Sequence, residues 1–289
     1  MILRVFPRRT SATPEDEYVR IGPPDMLGLP PDVEAVHISV TFTWDVPKAL
    51  MLFKVWREVH PKVLLGGPAF ESVIGSVFGS DLAKLPGDFI PGRYLKRGYV
   101  ITSRGCPNSG PHCLVALRQG SLRILPITEG WNVLDNNLLA CPPAHVEAVF
   151  AMLSKQPKPP CFTGGLEAFR ITPEIAAQLR EIKTERLYTA FDRPDQKGAI
   201  RAGGRILRDA GFTRAHHLYC YVLIGYPGDT ILRAETRLRF VWDAGFCPYA
   251  MLYRDEQWHR RIETLEGRQW SKVQKEWLRP AIIRSRAIR

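Results

Sequence analysis

AVHISVTFTWDVPKALMLFKVWREVHPKVLLGGP, residues 35–68, is the stretch that decides the fold class. Ala35 to Thr43 is rich in β-branched and aromatic side chains and predicts a strand. Pro47 to Val59 spaces its apolar residues as a helix does, with Pro47 in the first turn, where its missing N–H costs nothing. Lys62 to Leu65 is a second apolar strand, stopped by Gly66, Gly67 and Pro68. Strand, helix, strand in so short a span is a β–α–β unit. It requires parallel strands joined by a right-handed crossover.

Upstream, Met1 to Phe6 alternates as a short strand, and Thr10 to Asp32 is rich in Pro, Gly and acids and predicts loop. Downstream, Ser72 to Arg97 reads as a Gly- and Pro-containing loop and marks a boundary. Beyond it the order of strand, loop, helix recurs. Strands are expected at Tyr99–Ser103, Cys161–Thr163, Arg186–Phe191, Leu218–Ile224 and Tyr249–Tyr253. Helices are expected at Pro142–Leu153, Pro173–Ile182, Ile200–Ala210 and Leu232–Ala244, the last two stopped by Gly211 and Gly245. Gly120 to Asn137 carries two short apolar pieces, and Glu256 to Arg289 predicts a basic helical tail. Chemistry in (β/α) barrels sits on loops after strands. Four such loops carry candidate groups: the one around Cys106, Gly164–Glu167, Asp192, and Gly225–Gly228.

The chain has 289 residues, 45% of them hydrophobic and 24% charged, enough for a large globular core. No apolar run reaches the ~18 residues of a membrane span, and MILRVFPRRTS lacks the apolar stretch of a signal peptide. The expectation is a cytoplasmic protein without a membrane partner. A net charge of +11 favours polyanions, nucleic acid among them. Six cysteines, dispersed except for Cys106 and Cys113, do not form a disulfide framework.

Cys106 and Cys113 lie in Ile101-Thr-Ser-Arg-Gly-Cys106-Pro-Asn-Ser-Gly110-Pro-His112-Cys113-Leu-Val115, a Gly- and Pro-containing loop that follows a strand. Such a loop turns tightly and can aim N–H groups at an anionic cluster. Here the chain resembles the radical S-adenosylmethionine superfamily, in the group with an N-terminal domain like that of cobalamin-binding members. The family spaces three cysteines as Cys, three residues, Cys, two residues, Cys. Cys106 matches the first, Cys113 the third, and His112 the ring before it, whereas Gly110 stands at the middle position. Phe162-Thr-Gly164-Gly165-Leu166-Glu167 looks like the family's glycine-rich motif after the second barrel strand. Tyr221 to Gly228 resembles the later strand and turn that flank adenine, and Val36 to Phe70, with Leu65-Gly66-Gly67-Pro68 near its end, is similar to the N-terminal half of cobalamin-domain members.

The resemblance implies an α/β chain with a small Rossmann-like β/α domain over 1–97. A partial (β/α) barrel of radical S-adenosylmethionine type would follow over 98–255, and the tail over 256–289. It implies Cys106 and Cys113 as ligands of a four-iron four-sulfur cluster. Gly164, Gly165, Glu167, His112, Ile224 and Gly225 would line the S-adenosylmethionine site. Glycine backbone can approach the ligand's ammonium there, and a carboxylate can pair with it. The implied chemistry is reductive cleavage of S-adenosylmethionine to act on a small-molecule or RNA substrate, with an electron-donor protein as partner. Neither His37 nor His60 sits in an Asp-x-His-x-x-Gly pattern, so cobalamin is not expected.

Gly110 has no ligating side chain, which leaves three outcomes. The chain could be a degenerate protein that keeps its nucleotide pocket, alternatively a nucleic-acid binder. Another ligand, His112 or Cys141, could replace the missing thiolate. The position could have been damaged by mutation. Plainer readings stand beside these: two core thiols, a zinc site built on Cys106, His112 and Cys113, and Asp192 as a turn cap. His216 and His217, adjacent before a strand, point to opposite faces. The tail's Trp258, Trp270 and Trp277 either pack on the barrel or interleave with its arginines on nucleic acid.

Overall fold

The computed structural model describes the chain apart from residues 26–27, 70–91, 109, 111, 215, 255–262, 279–282 and 284–289. It divides into two compact units, one of residues 1–99 with 114–120, the other of residues 100–113 with 121–289. Most of the Ser72–Arg97 loop and the start of the tail lie outside the described residues.

The first unit holds strands β1 (Ile2–Phe6), β2 (Val19–Ile21) and β3 (Ala35–Ser39), helix α1 (Val46–Val59) and strand β4 (Val63–Gly66). The four strands form a parallel sheet in the order β2-β1-β3-β4. β2 falls inside the stretch expected to be loop. Its three residues are half-buried or exposed, so no apolar alternation announces it. β3 is buried at all five positions, as a central parallel strand must be. Leu3, Val5, Val36, Ile38, Leu52, Trp56 and Leu65 form the core of this unit. The strand order reverses between β1 and β3, the kind of crevice where open α/β sheets take ligands. Beyond those strand ends Arg8 clamps the buried Asp45 with two bonds of 2.6 and 2.5 Å. Helix α2 (Val115–Gln119) belongs to the same unit.

In the second unit the chain runs β5 (Tyr99–Val100), β6 (Ser103–Arg104), β7 (Arg123–Ile124), β8 (Asn132–Val133), α3 (Pro143–Ser154) and β9 (Cys161–Phe162). It continues α4 (Pro173–Glu181), β10 (Arg186–Ala190), α5 (Lys197–Asp209), β11 (Leu218–Ile224), α6 (Ile231–Asp243), β12 (Cys247–Leu252) and α7 (Leu265–Trp277). The expected strand at 99–103 is thus two short pieces, β6 pairing antiparallel with β7 in a separate ribbon. The six remaining strands form one sheet in chain order, β5-β8-β9-β10-β11-β12. Each neighbouring pair from β8 to β12 is parallel. The order never reverses, which sets this sheet apart from that of the first unit.

Local chemistry fixes the helix starts. Thr172, Thr230 and Thr264 cap α4, α6 and α7, each hydroxyl accepting an N–H three residues on. Along β11, Leu218, Cys220, Val222 and Ile224 are buried, while Tyr219, Tyr221 and Leu223 on the other face are half-buried. One core gathers the buried face of the sheet with α3 to α7, and Trp270, Val273 and Trp277 bring the tail helix into it. Among the described residues no helix is long and apolar enough to cross a membrane.

Candidate functional site

A cavity of about 480 Å³ opens in the second unit, lined by Cys106, Cys113, Asn137, Gly165, Glu167, Asp192 and Tyr221 among others. Its walls are turns that follow β6, β8, β9 and β10, together with the start of α5 and a side chain of β11.

The turn after β8 builds the site from below. Asp135 is almost fully buried and accepts three bonds: from the Thr102 N–H (2.6 Å), the Thr102 hydroxyl (2.6 Å) and the Ser103 hydroxyl (2.7 Å). Asn136 Oδ1 accepts the Gly105 N–H at 3.1 Å. Asn137 Nδ2 donates to Cys106 Sγ at 3.4 Å and to Glu167 Oε2 at 2.8 Å. The backbone that delivers Cys106 is therefore held by three consecutive residues of the next strand end. Sequence reasoning missed them. The signal was present: an acid and two amides directly after the apolar Val133-Leu134.

The Gly164-Gly165 turn follows β9, the third strand of the six, whereas the family motif it resembles follows the second barrel strand. The place after the second strand belongs to Leu134-Asp135-Asn136-Asn137. A Cβ at Gly164 would strike the Asp135 carbonyl oxygen and sit 2.6 Å from the Leu134 carbonyl carbon. Gly165 has φ +104°, and a Cβ there would meet nothing closer than the Tyr188 carbonyl oxygen at 3.9 Å. One glycine permits close packing of two turns, and the other leaves open backbone facing the cavity.

Glu167 accepts from Asn108 Nδ2, from Asn137 and from Arg170 Nε, the last at 2.8 Å. Asn137 is only 4% exposed, and its Oδ1 is buried with no hydrogen-bond partner. A buried carbonyl oxygen without a donor is costly. Asp192 opens onto the same cavity and accepts a long bond from the Leu223 N–H, 3.4 Å. Surrounding protein raises its pKa by desolvation, against the Leu223 N–H and the charges of Arg237, His112 and Arg193. Tyr221 donates to the Thr163 carbonyl at 3.0 Å. Its ring stacks on Tyr188 at 4.8 Å, and Tyr219 stacks on Tyr188 at the same spacing. Burial pushes the Tyr188 hydroxyl up to about 12, with Tyr219 adding to it.

Of the residues expected to hold the cluster or line the S-adenosylmethionine site, the structure brings Cys106, Cys113, Gly164, Gly165 and Glu167 to this cavity, and Asp192 and Gly110 border it too. It does not bring the other three. Ile224 is fully buried in the core. A Cβ at Gly225 would meet Leu252 at 2.9 Å and Trp270 at 3.0 Å. His112 lies against Tyr226 with ring centroids 4.4 Å apart and tilted by 32°, and meets Tyr253 edge-on at 5.8 Å. Arg237 lies over the same Tyr226 ring at 5.2 Å and pairs with the buried Asp229, which also accepts the Gly225 N–H. His112 thus pins the cysteine loop to the turn after β11.

Cys106 is half-buried and Cys113 exposed, while Cys141, Cys161, Cys220 and Cys247 are buried. Cys141 does not border the cavity. Among the described residues no three His, Cys, Asp or Glu side chains are gathered where they could hold a metal. Gly110 contributes only backbone to the cavity wall. The described side chains therefore do not fit a four-iron cluster, whose irons are held by thiolates.

Compared with models of known protein families and with curated proteins, the chain matches none.

Proposed function

We propose that the chain is a radical S-adenosylmethionine-type protein on a partial (β/α) barrel, and that its cavity takes S-adenosylmethionine. The observation that carries this is a single cavity bordered by the Glu167 carboxylate, the Gly164-Gly165 turn and both loop thiols. The chain-order winding of the six strands supports the barrel reading.

The acceptors suit the ligand. Glu167 would receive the ammonium, and Asp192 would accept from sugar hydroxyls. Asn108 and Arg170 orient Glu167 before a ligand arrives. Asn137 meanwhile keeps one amide hydrogen on Cys106. Gly110 removes the middle thiolate. As it stands, the chain is thus a binder of the adenosyl amino acid, and reductive cleavage depends on a ligand beyond Cys106 and Cys113.

Anaerobic reconstitution with iron and sulfide tests this. Wild type should bind S-adenosylmethionine in calorimetry yet retain little iron. Gly110→Cys should retain several-fold more iron. Gly110 is not in a left-handed conformation, and a Cβ there would lie 3.3 Å from the Cys113 Cβ, so seating the new thiol requires Cys113 to shift by a few tenths of an ångström. Equal iron in both proteins would show that this is not a cluster loop. Absence of S-adenosylmethionine binding in both would remove the proposal.

A further inference from the structure

The outer flank of α5 carries a feature separate from the cavity. Lys197, Arg201, Arg205 and Arg208 are all exposed and recur at helical spacing. At about 100° per residue they fall in one stripe about 80° wide, and the row extends about 16 Å along the helix. The buried residues Ile200, Gly203, Gly204 and Leu207 occupy a different face. Among the described residues no carboxylate forms an ion pair with any of the four. Arg208 donates to a backbone carbonyl, Ala244 O, at 2.7 Å. Lys197 and Arg201 lie over the Phe240 ring of α6 at 5.5 and 5.0 Å, which holds two of the cations in place.

A row of cations left without counter-charge, in a chain whose net charge is +11, is matched by a row of anions. Arginine dominates the row, and its planar fork suits phosphate oxygens. A lipid surface fits worse. An interfacial helix inserts large apolar side chains beside its cations, and α5 exposes none. We propose that this flank of α5 binds the phosphate backbone of a nucleic acid strand. The contact reads charge and not sequence.

The test is fluorescence anisotropy with labelled oligouridylate and oligothymidylate of about 20 nucleotides, titrated with the full chain between about 50 and 200 mM salt. Wild type should bind with a linear dependence of log affinity on log salt. Arg201→Gln with Arg205→Gln should weaken binding at least tenfold at low salt and flatten the slope by about 1.4, at about 0.7 per lost contact. Lys48→Gln with Lys54→Gln, exposed on α1, removes the same charge and should change little. Bound oligonucleotide should also slow chemical acetylation of Lys197 in the wild-type chain. Equal losses in the two double variants would reduce the effect to net charge and overturn the proposal. So would an unchanged rate at Lys197, or binding to phosphatidylserine vesicles with no binding to oligonucleotide.

Discussion

Asp135 shows how much one side chain can organise. Its carboxylate is buried to 1% exposure and satisfies one backbone and two hydroxyl donors on the strand that leads to Cys106. Asp135→Asn turns an acceptor into a partial donor against those groups. It should cost about 2–4 kcal/mol of unfolding free energy in urea and weaken S-adenosylmethionine binding. His37 makes a different prediction. Its ring meets the Tyr94 hydroxyl at 2.5 Å, and burial first, then Arg93 and Lys62, holds its pKa down to about 4 from an ordinary 6.5. The unfolded chain therefore takes up this proton before the folded one does. Stability should fall as pH drops from about 6.5 towards 4 and be insensitive to this group at neutral pH. His37→Gln should remove that part of the slope in pH-dependent thermal melts, and an unchanged slope would place the titration elsewhere. Neither residue was legible as important in the sequence. A buried acid and a surface acid look alike until the partners are known.

Elements were legible where period and stops agreed. α5 and α6 end at Gly211 and Gly245 as the sequence implied, and β11 alternates as it should. β6, β7 and β8 were not separable, because two-residue strands are too short for any period to show. α5 also carries Gly203 and Gly204 in its interior, where each costs roughly 1 kcal/mol against alanine. Packing explains the second. A Cβ at Gly204 would collide with the Ala244 carbonyl oxygen and lie 2.9 Å from the Phe246 ring, whereas one at Gly203 would come no nearer than 3.1 Å to the Ala168 carbonyl. Gly204→Ala should therefore lower the melting temperature more than Gly203→Ala, despite identical gains in helix propensity. The reverse order would mean that α5 does not approach the turn before β12 this closely. At the start of α6, Thr230→Ala removes the bond from the Arg233 N–H and should cost about 1 kcal/mol.

For the molecule as a whole, the α/β class with parallel strands was indicated by residues 35–68, because a helix between two strands is the crossover that parallel neighbours need. The compact units divide at residue 99, and residues 114–120 return to the first, a return that nothing in the sequence pattern announced. The site was half legible. The thiols and the paired glycines share a cavity, but the turn after β8 that holds them had no motif to announce it. Its function comes from geometry across strands: Asn137 reaches Cys106 and Glu167, each about 30 residues away in sequence. The central claim, that this cavity recognises an adenosyl amino acid by its amino-acid end, has a direct measurement. Calorimetry on the wild-type chain should compare S-adenosylhomocysteine with 5′-methylthioadenosine, which lacks the ammonium and carboxylate. The account predicts at least tenfold tighter binding of the former, with the difference largely lost in Glu167→Gln. Equal affinity for the two ligands, or a difference that survives in that variant, would contradict it.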